Sequence, residues 1–212
     1  MTRLIDLTRP LTAQTLAYPG EETAFRITRQ DVGIHNCVVS ELTRFDLHVG
    51  THIDAPLHFV PGGTDVAGLG TPLLPMLLVT ATGGEIGPDV IAGDVCGRAV
   101  LFNTAWTRTP DRADYYQGYP VLTLEAAEWL VEHGAALVGL DTPSADHVCI
   151  EGGFPIHKTL LGAGIPIVEG LTGLDRLHGC EESLWFGAFP LPIADIEGSP
   201  VRAVALDPTG FD

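Results

Sequence analysis

Basic residues are scarce in this chain: 11 Lys and Arg stand against 27 Asp and Glu, a formal charge of −16. That imbalance excludes polyanionic partners, because nucleic acid and anionic membrane surfaces would be repelled over most of the surface. Cysteine is sparse as well. Cys37, Cys96, Cys149 and Cys180 are widely separated with no Cys-x-x-Cys pair, which removes the usual zinc-finger and dithiol signatures. Reduced, buried thiols are expected. A Gly-x-Ser-x-Gly nucleophile turn is also missing.

Long apolar runs are absent too. The uncharged stretch from Val66 to Gly84 is broken by Gly68, Gly70, Pro72, Pro75, Gly83 and Gly84, whereas a membrane-spanning helix needs about 20 mostly apolar residues. Loop followed by buried strand is expected there. The opening residues show no basic region leading into an apolar run and a small-residue cleavage site, so the cytoplasm is the expected compartment. Neither an internal repeat nor a low-complexity tract occurs.

What remains is a 212-residue chain, 45% apolar, with 25 Gly and 16 Pro. It is long enough for one domain, 1–212, with a sizeable core, many short strands and many turns. A small-molecule partner is favoured.

The informative segment is His48-Val49-Gly50-Thr51-His52-Ile53-Asp54-Ala55-Pro56-Leu57-His58. In an extended chain successive side chains alternate between faces, so positions 48, 52, 54 and 58 point the same way. In a helix Asp54 would lie about 200° around from His52, and Gly50 and Pro56 also oppose one. Two imidazoles and a carboxylate converging without a thiolate suit a borderline divalent cation such as Zn²⁺ or Mn²⁺. The bland alternative is the polar face of a solvated strand.

Elsewhere, residues 4–8, 38–46, 77–80, 99–102, 136–141, 165–169, 189–193 and 201–206 read as strands, with Gly198-Ser199-Pro200 as a turn. Thr123 can cap a helix over Leu124–Glu132 that stops at Gly134, and a shorter helix is expected around His157–Leu161. Helices between apolar strands imply α/β layering, with polar groups at strand ends. His157, opening a helix, and Glu169, ending the next strand, occupy places from which side chains can converge on a neighbouring loop. Helix-start or surface roles are the alternative for both.

The segment from His48 through Phe59 resembles the signature of the cyclase family of metal-dependent hydrolases, which includes bacterial kynurenine formamidases and isatin hydrolases. The run from Leu137 to Asp146 is similar to a second block of that family, and His157 followed by Glu169 to a third. With the openings Leu4-Ile5-Asp6-Leu7-Thr8 and the ending Ser199-Pro200-Val201-Arg202-Ala203, the likeness spans essentially the whole chain. It implies a single-domain β/β/α swivelling fold, assembled as a homodimer or larger. It further implies two divalent ions, Zn or Mn, with His48, His52 and Asp54 holding one and Asp54, His157 and Glu169 the other. His58 is then the general acid and base.

On that footing, metal-activated water attacks the carbonyl of a small non-peptide amide, with N-formylkynurenine as the leading substrate. Tyr18 stands where kynurenine formamidases often carry Trp before Pro-Gly, so the aromatic character is kept while the specific match is lost. Isatin-like cyclic amides or lactones are the nearest rival substrates, and a metal-binding scaffold protein is the non-enzymatic one. Thr51 is expected to anchor the loop, Asp141 to orient a ligand imidazole, Tyr18 to wall a pocket, and Phe59 to pack in the core. His35, His133, His147 and His178 are expected to be structural or surface residues.

Overall fold

The structure is a computed structural model that describes residues 3–22, 24–33, 37–70, 73–108, 114–148, 153–178 and 184–207. In chain order it contains β1 (Arg3–Asp6), the hairpin β2 (Arg26–Val32) and β3 (Cys37–Thr43), then β4 (His52–Asp54), β5 (Leu73–Thr80), β6 (Glu85–Ile86), β7 (Ala99–Asn103) and β8 (Val121–Leu122). Helix α1 (Leu124–Glu132), β9 (Leu137–Leu140), helix α2 (Pro155–Gly162), β10 (Ile167–Glu169), β11 (Trp185–Pro190) and β12 (Gly198–Asp207) follow. Eight strands form one sheet in the order β1-β12-β11-β5-β7-β9-β10-β4, and a further pairing of β12 with β4 joins its ends into a barrel-like core.

The parallel strands β5, β7, β9 and β10 are linked through crossovers, two of which carry α1 and α2. Such strands are covered on both faces, which is why β7 reads as an unbroken apolar run. Its Ala99 and Leu101 join one apolar cluster with Ile5, Ile53, Val168 and Phe186. Its Val100 and Phe102 join a second cluster with Ala127 and Leu130 of α1 and Leu160 and Leu161 of α2. The α/β expectation therefore holds. Helix α1 spans the residues expected, with the Thr123 hydroxyl accepting from the Ala126 amide at 3.1 Å and Gly134 reversing the chain at φ 74°. No helix among the described residues is long and apolar enough to cross a membrane.

Three expectations need correction. Gly198-Ser199-Pro200 is not a turn but the start of β12, paired with His52–Asp54 of β4. Pro200 is tolerated because the ladder bonds from Val201 N to Thr51 O and from Ala55 N to Glu197 O place it at a non-hydrogen-bonded pair, where no amide is needed. The strand expected at 189–193 lies earlier, as β11, and stops at Pro190. Cys37 and Cys96 are exposed rather than buried, because one lies on the solvent-facing β2–β3 hairpin and the other in the loop before β7. Cys149 and Cys180 lie outside the described residues.

One close main-chain contact ties the end of β10 to the loop before β4. Gly170 follows β10 at φ 65°, and a Cβ there would overlap the Gly50 carbonyl oxygen. Gly170→Ala thus incurs a left-handed backbone cost of about 1–2 kcal/mol plus a clash with main chain that no side-chain rotation relieves. The expected result is a melting temperature lower by roughly 4–8 °C, and an unchanged thermal transition would refute this reading.

Candidate functional site

The site is assembled from strand register. Strands β4 and β10 are antiparallel with His52 opposite Glu169 and Asp54 opposite Ile167, so His52, Asp54 and Glu169 share one face. Between them Ile53 and Val168 turn the other way into the core. The Thr51 hydroxyl accepts from the Arg9 amide at 2.9 Å and donates to the Gly170 carbonyl at 2.7 Å, tying the loop before β4 to the end of β10. This is the anchoring role expected for Thr51.

Only residues 52–54 of the His-rich segment are a strand. His48 lies in a turn ahead of Gly50, which has φ 65°, and His58 ends a one-turn 3-10 helix over Pro56–His58. Pro56 suits the first position of that helix because the amide it lacks would have no partner there anyway. The four groups therefore do converge, but not by extended-chain alternation. The ring centroids of His48 and His58 stand 4.3 Å apart, and those of His48 and His52 5.3 Å.

His157 arrives from the first turn of α2. Its face of Ile156, His157, Leu160 and Leu161 is buried, and Pro155 opens the helix. Asp146 supplies the missing cap, since its carboxylate accepts from the Ile156 amide at 3.1 Å, from the His157 amide at 3.0 Å and from His157 Nδ1 at 2.7 Å. With Nδ1 engaged, Nε2 faces inward, 3.4 Å from Asp54 Oδ2 and 3.2 Å from Glu169 Oε1. His52 is set the same way. Its Nδ1 donates to the Gly50 carbonyl at 3.2 Å, leaving Nε2 3.3 Å from Glu169 Oε2 and 3.5 Å from Asp54 Oδ1. Glu169 is steadied by the Ala145 amide at 2.6 Å.

The donor atoms fall into two sets with Asp54 common to both. One atom each from His48, Asp54 and His58 lie within 4.8 Å of one another, as do atoms from His52, Asp54 and Glu169. The expected sets draw on the same convergence, with His157 Nε2 beside both Asp54 and Glu169 and His52 Nε2 beside both carboxylates as well. The β4–β10 register seats His52 across from Glu169.

Electrostatics follow from burying these groups together. Burial disfavours the Asp54 carboxylate, yet the neighbouring imidazoles, His48 foremost, hold it well below the usual range. Burial likewise opposes the Glu169 carboxylate, and His157 and His52 hold it low. His48 is pushed up to about 9, against burial, chiefly by Asp54. His58 goes the other way. Its own burial lowers it, Asp54 opposes, and His48 and His157 reinforce the lowering.

Above these groups opens a cavity of about 860 Å³ with aromatic walls from Tyr18, Phe45, Phe59 and Phe154. Tyr18 is the wall it was expected to be. Phe59 does more than pack in the core, since it touches the main apolar cluster and also lines the cavity. Asp141 orients no imidazole. Its carboxylate accepts from the Thr104 amide and hydroxyl and from the Trp106 amide, bracing the loop after β7, and Asp146 fills the role instead. Nothing local in the sequence marks Asp146, whose partner is 11 residues away in another element. His133 stacks on Trp129, His147 contacts Tyr119 and His178 approaches Asn103, all outside the cavity. His35 lies outside the described residues.

The sequence model of the cyclase family matches residues 5–147, a span that includes the His-rich segment and Asp146. The chain belongs to the cyclase family. A kynurenine formamidase of Geobacillus thermodenitrificans is 31% identical to this family member over 210 residues, covering 96% of this chain and 97% of that protein. Among solved structures, a potential metal-dependent hydrolase with cyclase activity superposes with a TM-score of 0.78 at 28% identity, over 98% of both chains. Isatin hydrolase A from Labrenzia aggregata gives 0.79 at 24% identity, over 97% of this chain and 93% of that one, which shows the shared fold.

Proposed function

We propose that this cyclase-family protein hydrolyses the amide C–N bond of a small aromatic formamide, N-formylkynurenine being the leading substrate. Two divalent ions, Zn or Mn, are held by His48, His52, Asp54, His157 and Glu169. The observation that carries this reading is Asp54, buried and shared by two nitrogen-and-oxygen donor sets at the floor of an aromatic-walled cavity. Cations fit there: Asp54 Oδ2 and His48 Nε2 are buried without a hydrogen-bond partner, a costly state that a cation relieves. The similarity to a kynurenine formamidase along the whole chain supports the formamide over other amides.

When bound, such ions polarise a carbonyl oxygen and acidify water. The protein supplies the rest. Neutral His58 takes a proton from the attacking water and returns one to the leaving nitrogen, so that formate and the free arylamine separate. Asp146 and the Gly50 carbonyl fix the ring orientations of His157 and His52. Phe59 and Phe154 flank the His157 ring and limit access of bulk water from that side.

Metal analysis with assays on formanilide, N-formylkynurenine, isatin and a lactone tests the proposal. Chelation is expected to abolish formamide hydrolysis and metal return to restore it, whereas full activity after complete metal removal would overturn it. Asp146→Asn is expected to weaken metal affinity about 10- to 100-fold, since an amide replaces a carboxylate that accepts three hydrogen bonds. Equilibrium dialysis against Zn²⁺ measures this, and wild-type affinity would refute the role. We also propose a homodimer or larger assembly, supported by the β2–β3 ribbon, which is solvent-exposed on both faces with Ile27, Val38, Val39 and Leu42 outward. A two-stranded ribbon is marginal alone. Sedimentation at the monomer mass would remove the proposal.

A further inference from the structure

The cavity is larger than a formyl-bearing benzene ring requires, and its mouth differs in chemistry from its floor and walls. Floor positions are metal donors, and walls are aromatic. The mouth carries Glu21, Glu22, Arg44 and Asp46, of which Arg44 is the one Lys or Arg among the described lining residues. Arg44 Nη1 lies 3.3 Å from Glu22 Oε2, although the two are 22 positions apart in sequence.

Their meeting is built into the base of the hairpin. Arg26 pairs with Thr43 at the end of the β2–β3 ladder, and the Asp46 amide donates to the Ala24 carbonyl at 2.9 Å one step beyond. The Phe25 and Phe45 rings pack edge to face with centroids 6.0 Å apart, closing the same base. Arg44 sits at φ 49°, a left-handed conformation unfavourable for a residue with a side chain, and this turn delivers Arg44, Phe45 and Asp46 in succession to the cavity lining. Backbone strain at a cavity mouth points from structure toward use.

The Glu22–Arg44 pair contributes little to the fold. Both side chains are mostly solvent-exposed, and such pairs are worth at most about 1 kcal/mol. The pair can therefore open around a ligand at small cost. A simple anion is a poor match, because Arg44 is outnumbered by carboxylates at the mouth and floor. A simple cation leaves the guanidinium fork unused. A zwitterion satisfies both: a carboxylate accepts two parallel N–H bonds from the guanidinium while an ammonium donates to the Glu22 carboxylate.

We propose that Glu22 and Arg44 form the subsite at the cavity mouth for the α-ammonium and α-carboxylate of an amino-acid substrate, whose aromatic ring lies between Tyr18, Phe45, Phe59 and Phe154 and whose scissile amide reaches the floor. This rests on the formamidase reading and narrows it to formamides that carry an amino-acid head group. The selectivity determinant is thus placed at the base of the hairpin, on residues other than the metal donors.

The test compares N-formylkynurenine, its des-amino analogue and formanilide, which has no charged head group, on the metal-loaded protein. Arg44→Gln is expected to lower the ratio of kcat/KM for N-formylkynurenine over formanilide about 10- to 100-fold, mainly through KM. Glu22→Gln is expected to lose more on N-formylkynurenine than on the des-amino analogue. A second readout needs no turnover: kynurenine, which keeps the ring and head group, is expected to bind the chelator-treated wild type at least about 10-fold more tightly than Arg44→Gln. Formanilide turnover with equal losses on both substrates in Arg44→Gln, or equal kynurenine affinity, overturns the subsite and leaves the formamidase reading standing. Failure of the metal-loaded wild type to hydrolyse either formamide overturns both.

Discussion

Asp54→Asn is expected to abolish turnover, by several orders of magnitude, and to strip the protein of retained divalent metal while leaving it folded. The basis is the unique position of this carboxylate, which belongs to both donor sets and carries a buried oxygen with no hydrogen-bond partner. Removing its charge weakens both sets at once, whereas loss of any single imidazole touches one. The fold should survive because β4 is held on both sides, by β10 and by β12, and Ile53 keeps its place in the core. Metal stoichiometry by atomic emission, circular dichroism and formamide assay check these points together. Retention of near-normal metal and rate would sink the shared-ligand reading.

If the task of His58 is proton transfer, as proposed, His58→Ala is expected to cut turnover on the order of 10²- to 10⁴-fold with metal content near normal. The geometry makes this a sharp test, since a His58 nitrogen stands close enough to His48 and Asp54 to serve as a ligand instead. Burial lowers its imidazole, which favours the neutral ring that either role needs, so metal content decides between them. A ligand role predicts metal loss in step with activity loss, and that outcome would transfer His58 to the donor set.

Much of the local structure was legible from residue type. Thr123, Glu125 and Gly134 mark the bounds of α1, and the continuous apolar runs of β7 and β9 announce strands covered on both faces. The ligand-type residues were legible as well, because clustered imidazoles beside a carboxylate have few structural uses. Alternation correctly placed His52 and Asp54 on one face and failed for His48 and His58, where a left-handed Gly50 and a 3-10 turn at Pro56 reset the side-chain direction. Asp141 and Asp146 could not be told apart by sequence. Both precede α2 in one short stretch, and only packing shows that the first faces the loop after β7 and the second the start of α2.

By itself, then, the amino-acid order determined the chemical inventory, the strongly acidic net charge, and the short-range elements whose period and caps are local properties. Tertiary structure alone decided that His157 and Glu169 meet the 48–58 segment, that Asp54 is the shared donor, and that an Arg–Glu pair guards the mouth. The physical reason is that strand register and helix docking are set by burying apolar faces such as Ile53, Val168 and Leu160, so the polar groups on the opposite faces are carried to one point by contacts far away in sequence.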